Sequence, residues 1–324
     1  MAETTIQWCD YTMNPWRGCT KISPGCAACY ADTMSKRNPG TLGVWGPSGT
    51  RVVAAESYWK QPIKWDKEAA KAGERRKVFC ASLADVFEDW QGKILAANGS
   101  LCVWCERCQE KTAGLTPEKC LCGSVMRWLT MQDVRNRLFR LIDATPNLDW
   151  LILTKRPENI QKMWRYEHDY EPDPPRMPIK IRWSPQNVWL GVSIEDQQRA
   201  DERIPLLLKV PAAVRFLSVE PLLEDLGQID LAGIDWVIVG GESGPKARPF
   251  DLAWARSLRD QCKAAGVPFF LKQLGSDPHA WKASHEYPSD GSVLPLTPGT
   301  INDSHGGDES EWPDDLQGRR EFPR

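Results

Sequence analysis

Six segments of the chain stay apolar over four to six residues and end in polar residues or glycine: 77–82, 150–154, 188–193, 214–219, 236–239 and 268–272. Continuous apolar runs of that length fit strands covered on both faces, as in parallel sheets. Between most of them the apolar spacing becomes helical. Thr130 is placed to cap a helix whose stripe is Val134, Leu138, Leu141 and Ile142. A second helix is predicted over 252–265 with Gly266 placed to end it, and a third over 27–36.

Strand–helix alternation over this length predicts right-handed βαβ units and an α/β fold built on a parallel (β/α) barrel, partial or TIM-like. An open Rossmann-type sheet is the rival, but no G-x-G-x-x-G follows the first predicted strand. The barrel pattern occupies 1–90 and 131–275. Residues 91–130 interrupt it with a cysteine-rich stretch that reads as an inserted metal-binding module. Residues 276–324 are rich in Gly, Pro, Ser, Asp and His without periodicity, and read as an irregular, partly disordered tail.

Composition narrows the classes. The 324 residues are 41% hydrophobic and 26% charged, an ordinary globular balance with enough chain for a sizeable core. A net charge of −2 supplies no overall basic field, so nucleic-acid contact would need a local patch. The 16 tryptophans suit packing and base stacking alike. The N-terminus lacks the basic and apolar regions of a signal peptide, and no apolar run approaches the roughly 18 residues of a membrane span. These features predict a cytoplasmic protein with no membrane association. In that compartment the 11 cysteines argue for metal ligation rather than disulfides. All but Cys80 and Cys262, which read as packed core thiols, fall in two windows.

The first window places Cys19, Cys26 and Cys29 at C-x6-C-x2-C within Asn14-Pro15-Trp16-Arg17-Gly18-Cys19-Thr20-Lys21-Ile22-Ser23-Pro24-Gly25-Cys26-Ala27-Ala28-Cys29-Tyr30. Three close thiolates can hold three irons of a 4Fe–4S cluster and leave the fourth open. A zinc site with Cys9 as fourth thiolate is the alternative. In the second window Cys102, Cys105, Cys108, Cys120 and Cys122 form C-x2-C-x2-C-x11-C-x-C, two knuckles in the manner of a zinc ribbon. Cys105, Cys108, Cys120 and Cys122 are the favoured ligands, with Cys102 as substitute, and a second iron–sulfur cluster is the rival.

Reactive groups of parallel barrels project from strand carboxyl ends. Polar residues recur there: Ser82 and Asp85; Thr154, Lys155 and Arg156; Ser193 and Glu195; Ser218 and Glu220; Gly240, Gly241, Glu242 and Ser243; Lys272 and Gln273. Each alone has a bland reading as a loop cap or solvated charge. Glu195 can accept from ribose hydroxyls, and Lys155 or Arg156 can hold a carboxylate or phosphate. Gly240 and Gly241 permit close backbone approach, and Glu242 can accept from an ammonium or hydroxyl. The histidines, His168, His279, His285 and His305, show no metal-ligand spacing, which argues against hydrolysis at a His-rich metal centre.

The three-cysteine loop, its C-x2-C ending and the barrel-like alternation resemble the radical S-adenosylmethionine (SAM) superfamily. That superfamily's usual spacing is C-x3-C-x2-C, with an aromatic residue before the third cysteine; here Ala28 stands there and Tyr30 follows. Its Gly-Gly-Glu motif follows the second strand, whereas Gly240-Gly241-Glu242 comes much later. A closer resemblance spans roughly residues 1–275. Trp8, Asn14-Pro15-Trp16, Cys19, Cys26, Cys29-Tyr30-Ala31, Leu153-Thr154-Lys155-Arg156-Pro157, Ser218-Val219-Glu220-Pro221-Leu222 and Gly240-Gly241-Glu242-Ser243-Gly244 are similar to a family of uncharacterised phage-associated proteins, some encoded beside a three-Cys-motif partner. The resemblance implies a 4Fe–4S cluster, bound SAM near Tyr30 and Glu242, a reductant for the cluster, and that partner protein. A nucleotide or nucleic acid is the expected substrate. The alternatives are a non-catalytic, zinc-stabilised nucleic-acid or protein-binding module of phage origin, and a barrel hydrolase or lyase with scaffold metals.

Overall fold

The computed structural model describes residues 4, 6–105, 110–113, 126–164, 186–279 and 302–323. The chain divides into two compact units, the first comprising Met1–Lys21, Tyr30–Val188 and Pro211–Ala213, the second Ile22–Cys29, Trp189–Val210 and Val214–Arg324. Parallel strands with helices between them build both, so the predicted α/β class holds.

The first unit contains strands β1 (Tyr11–Thr12), β2 (Trp16–Arg17), β3 (Thr50–Val53), β4 (Arg76–Cys80), β5 (Lys93–Leu95), β6 (Cys102–Cys105), β7 (Glu110–Ala113), β8 (Met126–Trp128) and β9 (Leu148–Thr154). Strands β1, β4 and β9 run parallel side by side, with Tyr11 opposite Val78 and Cys80 opposite Ile152. All but one residue of β9 are buried, as expected of a strand covered on both faces. A smaller sheet joins β2 antiparallel to β3 and β3 parallel to β5.

Helices α1 (Tyr30–Arg37), α2 (Pro39–Leu42), α3 (Glu56–Trp59), α4 (Gln61–Ala72), α5 (Met131–Asp143) and α6 (Ile160–Met163) complete this unit. Helix α5 begins at the predicted cap. Thr130 accepts from the Asp133 backbone, Asp133 returns the bond, and Val134, Leu138, Leu141 and Ile142 are buried. The helix predicted over 27–36 is α1, which starts three residues later because 24–26 form a 3-10 turn.

The 91–130 stretch contains a three-stranded antiparallel sheet with β6 between β7 and β8. Among its described residues, Val103, Cys105 and Met126 form a buried hydrophobic cluster. Cys108, Cys120 and Cys122 lie outside the described residues, as do His168 and His285.

In the second unit β10 (Val188–Ser193, whose first residue closes the first unit), β11 (Val214–Val219), β12 (Trp236–Gly240) and β14 (Phe269–Gln273) are parallel neighbours in that order. A two-residue pair, β13 (Phe250–Asp251) with β15 (Pro278–His279), stands apart. Gly191 faces Phe216 across β10 and β11, and a Cβ there would meet that ring at 2.4 Å. Helices α7 (Gln197–Leu208) and α8 (Leu252–Ala265) fill the connections. Helix α8 ends as predicted, with Gly266 in the left-handed region at φ 68°.

The end of the tail is irregular yet docked. Apart from a 3-10 turn over Glu309–Glu311 it has no helix, but Leu271 donates to the Arg319 carbonyl and Glu321 to that of Phe269, covering the edge of β14. Trp312 and Leu316 are buried beneath it.

Candidate functional site

Cys19 belongs to the first unit and Cys26 and Cys29 to the second. Each part of the loop is anchored by its own set of buried charges.

In the first unit the anchor begins at Gly18, whose φ of +115° and whose contact with Arg51 exclude a side chain; a Cβ would lie 2.9 Å from Arg51 Cδ. Gly18 donates to the Leu83 carbonyl, and the Cys19 carbonyl accepts from Gly46. Arg51, on β3 and fully buried, forks onto Glu88 at 2.7 and 2.8 Å and reaches the Thr20 hydroxyl at 2.9 Å. Its guanidinium lies over the Trp90 ring. Arg156, just past β9, donates to the Thr20 carbonyl at 2.7 Å, to Asp85 at 2.8 Å and toward Cys19 Sγ at 3.8 Å. Asp85 is fixed in turn by Thr154 Oγ1 at 2.7 Å and by the backbone N–H groups of Phe87 and Lys155.

Burial is the largest single influence on the titration of Cys19 and of Arg156. It pushes the Cys19 thiol up to about 12, with Asp85 and Glu88 adding to the shift and Arg156 opposing it. For Arg156, burial pulls the other way, but Asp85, Cys19 and Glu88 together hold its pKa above the usual arginine value. The guanidinium is therefore a fixed positive charge beside the sulfur.

In the second unit the anchor is the turn before Cys26. Glu195, completely buried just past β10, accepts from the Gly25 backbone at 3.2 Å and from Arg203 of α7 at 2.9 Å. Arg248 forks onto Glu242, just past β12, and donates from its remaining Nη1 to the Pro24 carbonyl at 3.0 Å. The fork with Glu242 is also what raises the Arg248 pKa, against a smaller effect of burial. The turn closes on itself through Ala27 N–H to Pro24 and Cys29 N–H to the Cys26 carbonyl.

The Gly-Gly pair has a packing reason. A Cβ on Gly240 would lie 2.9 Å from Glu220 Oε1, and one on Gly241 would lie 2.3 Å from the Leu274 carbonyl oxygen. Gly240 thus leaves room for Glu220, which pairs with Lys272 at 2.8 Å and accepts from Ser218 at 3.2 Å. Lys155 contributes its backbone N–H to Asp85. Tyr30, 56% exposed at the start of α1, donates its hydroxyl to the Ser82 carbonyl.

None of Cys19, Cys26 and Cys29 is in a disulfide, and all three are half-buried. Thiols of this kind suit iron–sulfur or zinc ligation by chemistry. Among the described residues, no three His, Cys, Asp or Glu side chains are gathered as a metal-holding set. Cys9 donates to the Ile6 carbonyl at 3.9 Å, with its thiol pushed up to about 11 by burial. Cys80 and Cys262 are fully buried, as core thiols should be. Cys102 and Cys105 are both buried on β6, where three-residue spacing puts them on opposite faces.

Sequence reasoning named Asp85, Glu195, Glu242 and Arg156 and missed Glu88, Arg51, Arg203 and Arg248. One signal was present: Arg203 sits in the helical stripe Ala200, Arg203, Ile204, Leu207, where an apolar residue is expected, and all four are buried.

Parallel strands alternating with helices, with polar and charged residues in the loops at their carboxyl ends, make this an α/β protein. The chain belongs to a family of proteins of unknown function, DUF5131, whose model matches residues 3–96 and 115–297. The break in that match, 97–114, falls within the cysteine-rich stretch. Comparison with curated proteins and with solved structures gives no match. Among the described residues no helix is long and apolar enough to cross a membrane.

Proposed function

We propose that this is a cytoplasmic radical SAM-type iron–sulfur enzyme, built on a partial parallel (β/α) barrel and acting on a nucleotide or nucleic acid. The observation that carries the reading is the anchoring of the cysteine loop. Four arginine–carboxylate pairs hold the segments around Cys19 and Cys26, and their carboxylates lie in loops that follow parallel strands. Such loops are where parallel barrels place their chemistry. Hydrogen bonds and charges near the sulfurs tune a reactive cluster, and Arg156 supplies one beside Cys19 Sγ.

Cys19, Cys26 and Cys29 would hold the 4Fe–4S cluster. When bound, the cluster with SAM supplies a carbon radical able to abstract hydrogen from substrate. The protein's own groups orient the loop and set its charge: Arg156 places a permanent cation 3.8 Å from Cys19 Sγ, and Thr20 is held from two sides by Arg51 and Arg156. Tyr30, 56% exposed, is proposed to lie near the adenine of SAM. The phage association and a three-Cys-motif partner belong to the same proposal, as does an external reductant. The 91–130 stretch is proposed to carry zinc on Cys105, Cys108, Cys120 and Cys122, with Cys102 as substitute, since two cysteine knuckles about a dozen residues apart are the arrangement of a zinc ribbon.

Anaerobic reconstitution followed by metal analysis tests both assignments. The expected result is about four irons per chain at the loop and 5′-deoxyadenosine on reduction with SAM. Both should be lost in the Cys19/Cys26/Cys29 triple alanine variant, with zinc retained. Removing Cys120 and Cys122 should do the reverse. A colourless protein holding only zinc would replace this reading with that of a zinc-stabilised binding module.

A further inference from the structure

We infer that Glu195–Arg203 and Glu242–Arg248 form a two-sided clamp on the Pro24–Gly25 turn, which makes Glu242 a positioning residue for Cys26 rather than a ligand of SAM. The inference rests on the cluster reading and deepens it, because it states what sets the geometry of the second thiol.

Three observations build the clamp. Glu242 is occupied: Oε2 accepts from Arg248 Nε at 2.8 Å and from the Arg248 backbone at 3.1 Å, and Oε1 accepts from Nη2 at 2.6 Å. A carboxylate forked by one guanidinium has little capacity left for an incoming ammonium. The same guanidinium spends its Nη1 on the Pro24 carbonyl, so the pair points at the loop. From the other jaw, Glu195 gives one oxygen to Gly25 N–H and the other to Arg203, which is itself tied to the Ser193 carbonyl at 2.6 Å.

Gly25 shows how close the second jaw lies. Its φ is not in the left-handed region, yet a Cβ would sit 3.0 Å from Glu195 Cδ and 3.3 Å from Cβ and Cγ. A methyl there would be tight, and Glu195 would have to give by a few tenths of an ångström. Pro24 supplies the complement, since its ring fixes φ and leaves its carbonyl as its only backbone hydrogen-bonding group. One jaw therefore grips a carbonyl and the other the next N–H, and the pair fixes the orientation of the 3-10 turn that presents Cys26.

The test uses the full-length chain, first without metal. Iodoacetamide labelling of each cysteine is followed by mass spectrometry, with Cys9 and Cys19 as internal references. Arg248 is partly exposed, so Arg248→Met should fold; it should label Cys26 about tenfold faster, the opening expected on losing one charge-assisted bond. Arg248→Lys, which keeps the charge but not the fork, should fall between. Gly25→Ala, which displaces the opposite jaw, should give the same selective rise at Cys26. In loaded protein, both Arg248→Met and Gly25→Ala should release metal to a chelator faster. Unchanged Cys26 labelling in both would overturn the clamp, as would an equal rise at all three cysteines. So would a Glu242→Gln protein that loses SAM affinity while Cys26 labelling and metal retention stay at the parental level. Metal identity is a separate readout: the same selective effects on zinc-only protein would establish the clamp and sink the iron–sulfur reading.

Discussion

Replacing Arg156 with methionine keeps most of the side-chain volume and deletes a cation that is almost wholly buried. Removing one partner of a buried ion pair costs about 3–5 kcal/mol, because the other charge is left without compensation. The structure places this case at the lower end. Glu88, which lies 3.6 Å from Arg156, keeps the two short bonds of the Arg51 fork, so only Asp85 is stranded. Asp85 still accepts from Thr154, Phe87 and Lys155. The expected loss is about 3 kcal/mol, or a fall of roughly 6–12 °C in melting temperature at domain scale. Urea unfolding followed by tryptophan fluorescence measures it, and a cycle with Asp85→Asn isolates the pair. The double variant should be less destabilised than the sum of the singles, with a coupling of about 1.5–3 kcal/mol. An Arg156→Met protein within about 1 kcal/mol of the parent, or strictly additive singles, would refute the reasoning.

Two further outcomes follow from local geometry. Gly241→Ala should cost about 1–3 kcal/mol in thermal unfolding, because the new methyl meets the Leu274 backbone, whereas Gly240→Ala meets only the end of the Glu220 side chain and should cost less. The docked tail should loosen in acid. Hydrogen bonds from Arg256, against burial and with help from Arg259, hold the Asp315 carboxyl down to about 2, below its ordinary 3.8. A depressed carboxyl contributes stability that is complete above its unfolded value and lost as pH falls from near 4 through about 2. Hydrogen exchange over 302–323 should therefore be flat from pH 7 to 5 after correction for intrinsic rates, then rise; Asp315→Asn should remove the step.

The strands at 188–193 and 214–219 were legible to the residue because each concentrates apolar residues over six positions. Helices α5 and α8 were legible because Thr130 and Gly266 act locally. The anchoring of the cysteine loop was not, since the loop and the residues that hold it carry no mark of contact when 136, 170 or 224 positions separate them. Arg51 stands beside Val52 and Val53 on a strand, and its fate depends on Glu88 and Thr20. Glu195 and Glu242 were singled out for their strand-end positions, which the structure keeps, while their neighbours Arg203 and Arg248 gave them a task that position alone does not disclose. The glycines at 240 and 241 read as room for a ligand; the atoms nearest to them are the chain's own.

The loop is translated early, but its anchors emerge late. Thr20 waits for Arg156, 136 residues on; Gly25 waits for Glu195 across 170 residues, and Pro24 for Arg248 across 224. At synthesis rates of about 5–20 residues per second, the last of these gaps alone takes roughly 11–45 s to traverse. Throughout that interval the turn before Cys26 lacks the contact that Arg248 will give it. Any metal insertion that depends on the finished turn is a late event in the life of the chain, and the nascent cysteines are at their most vulnerable to oxidants before it.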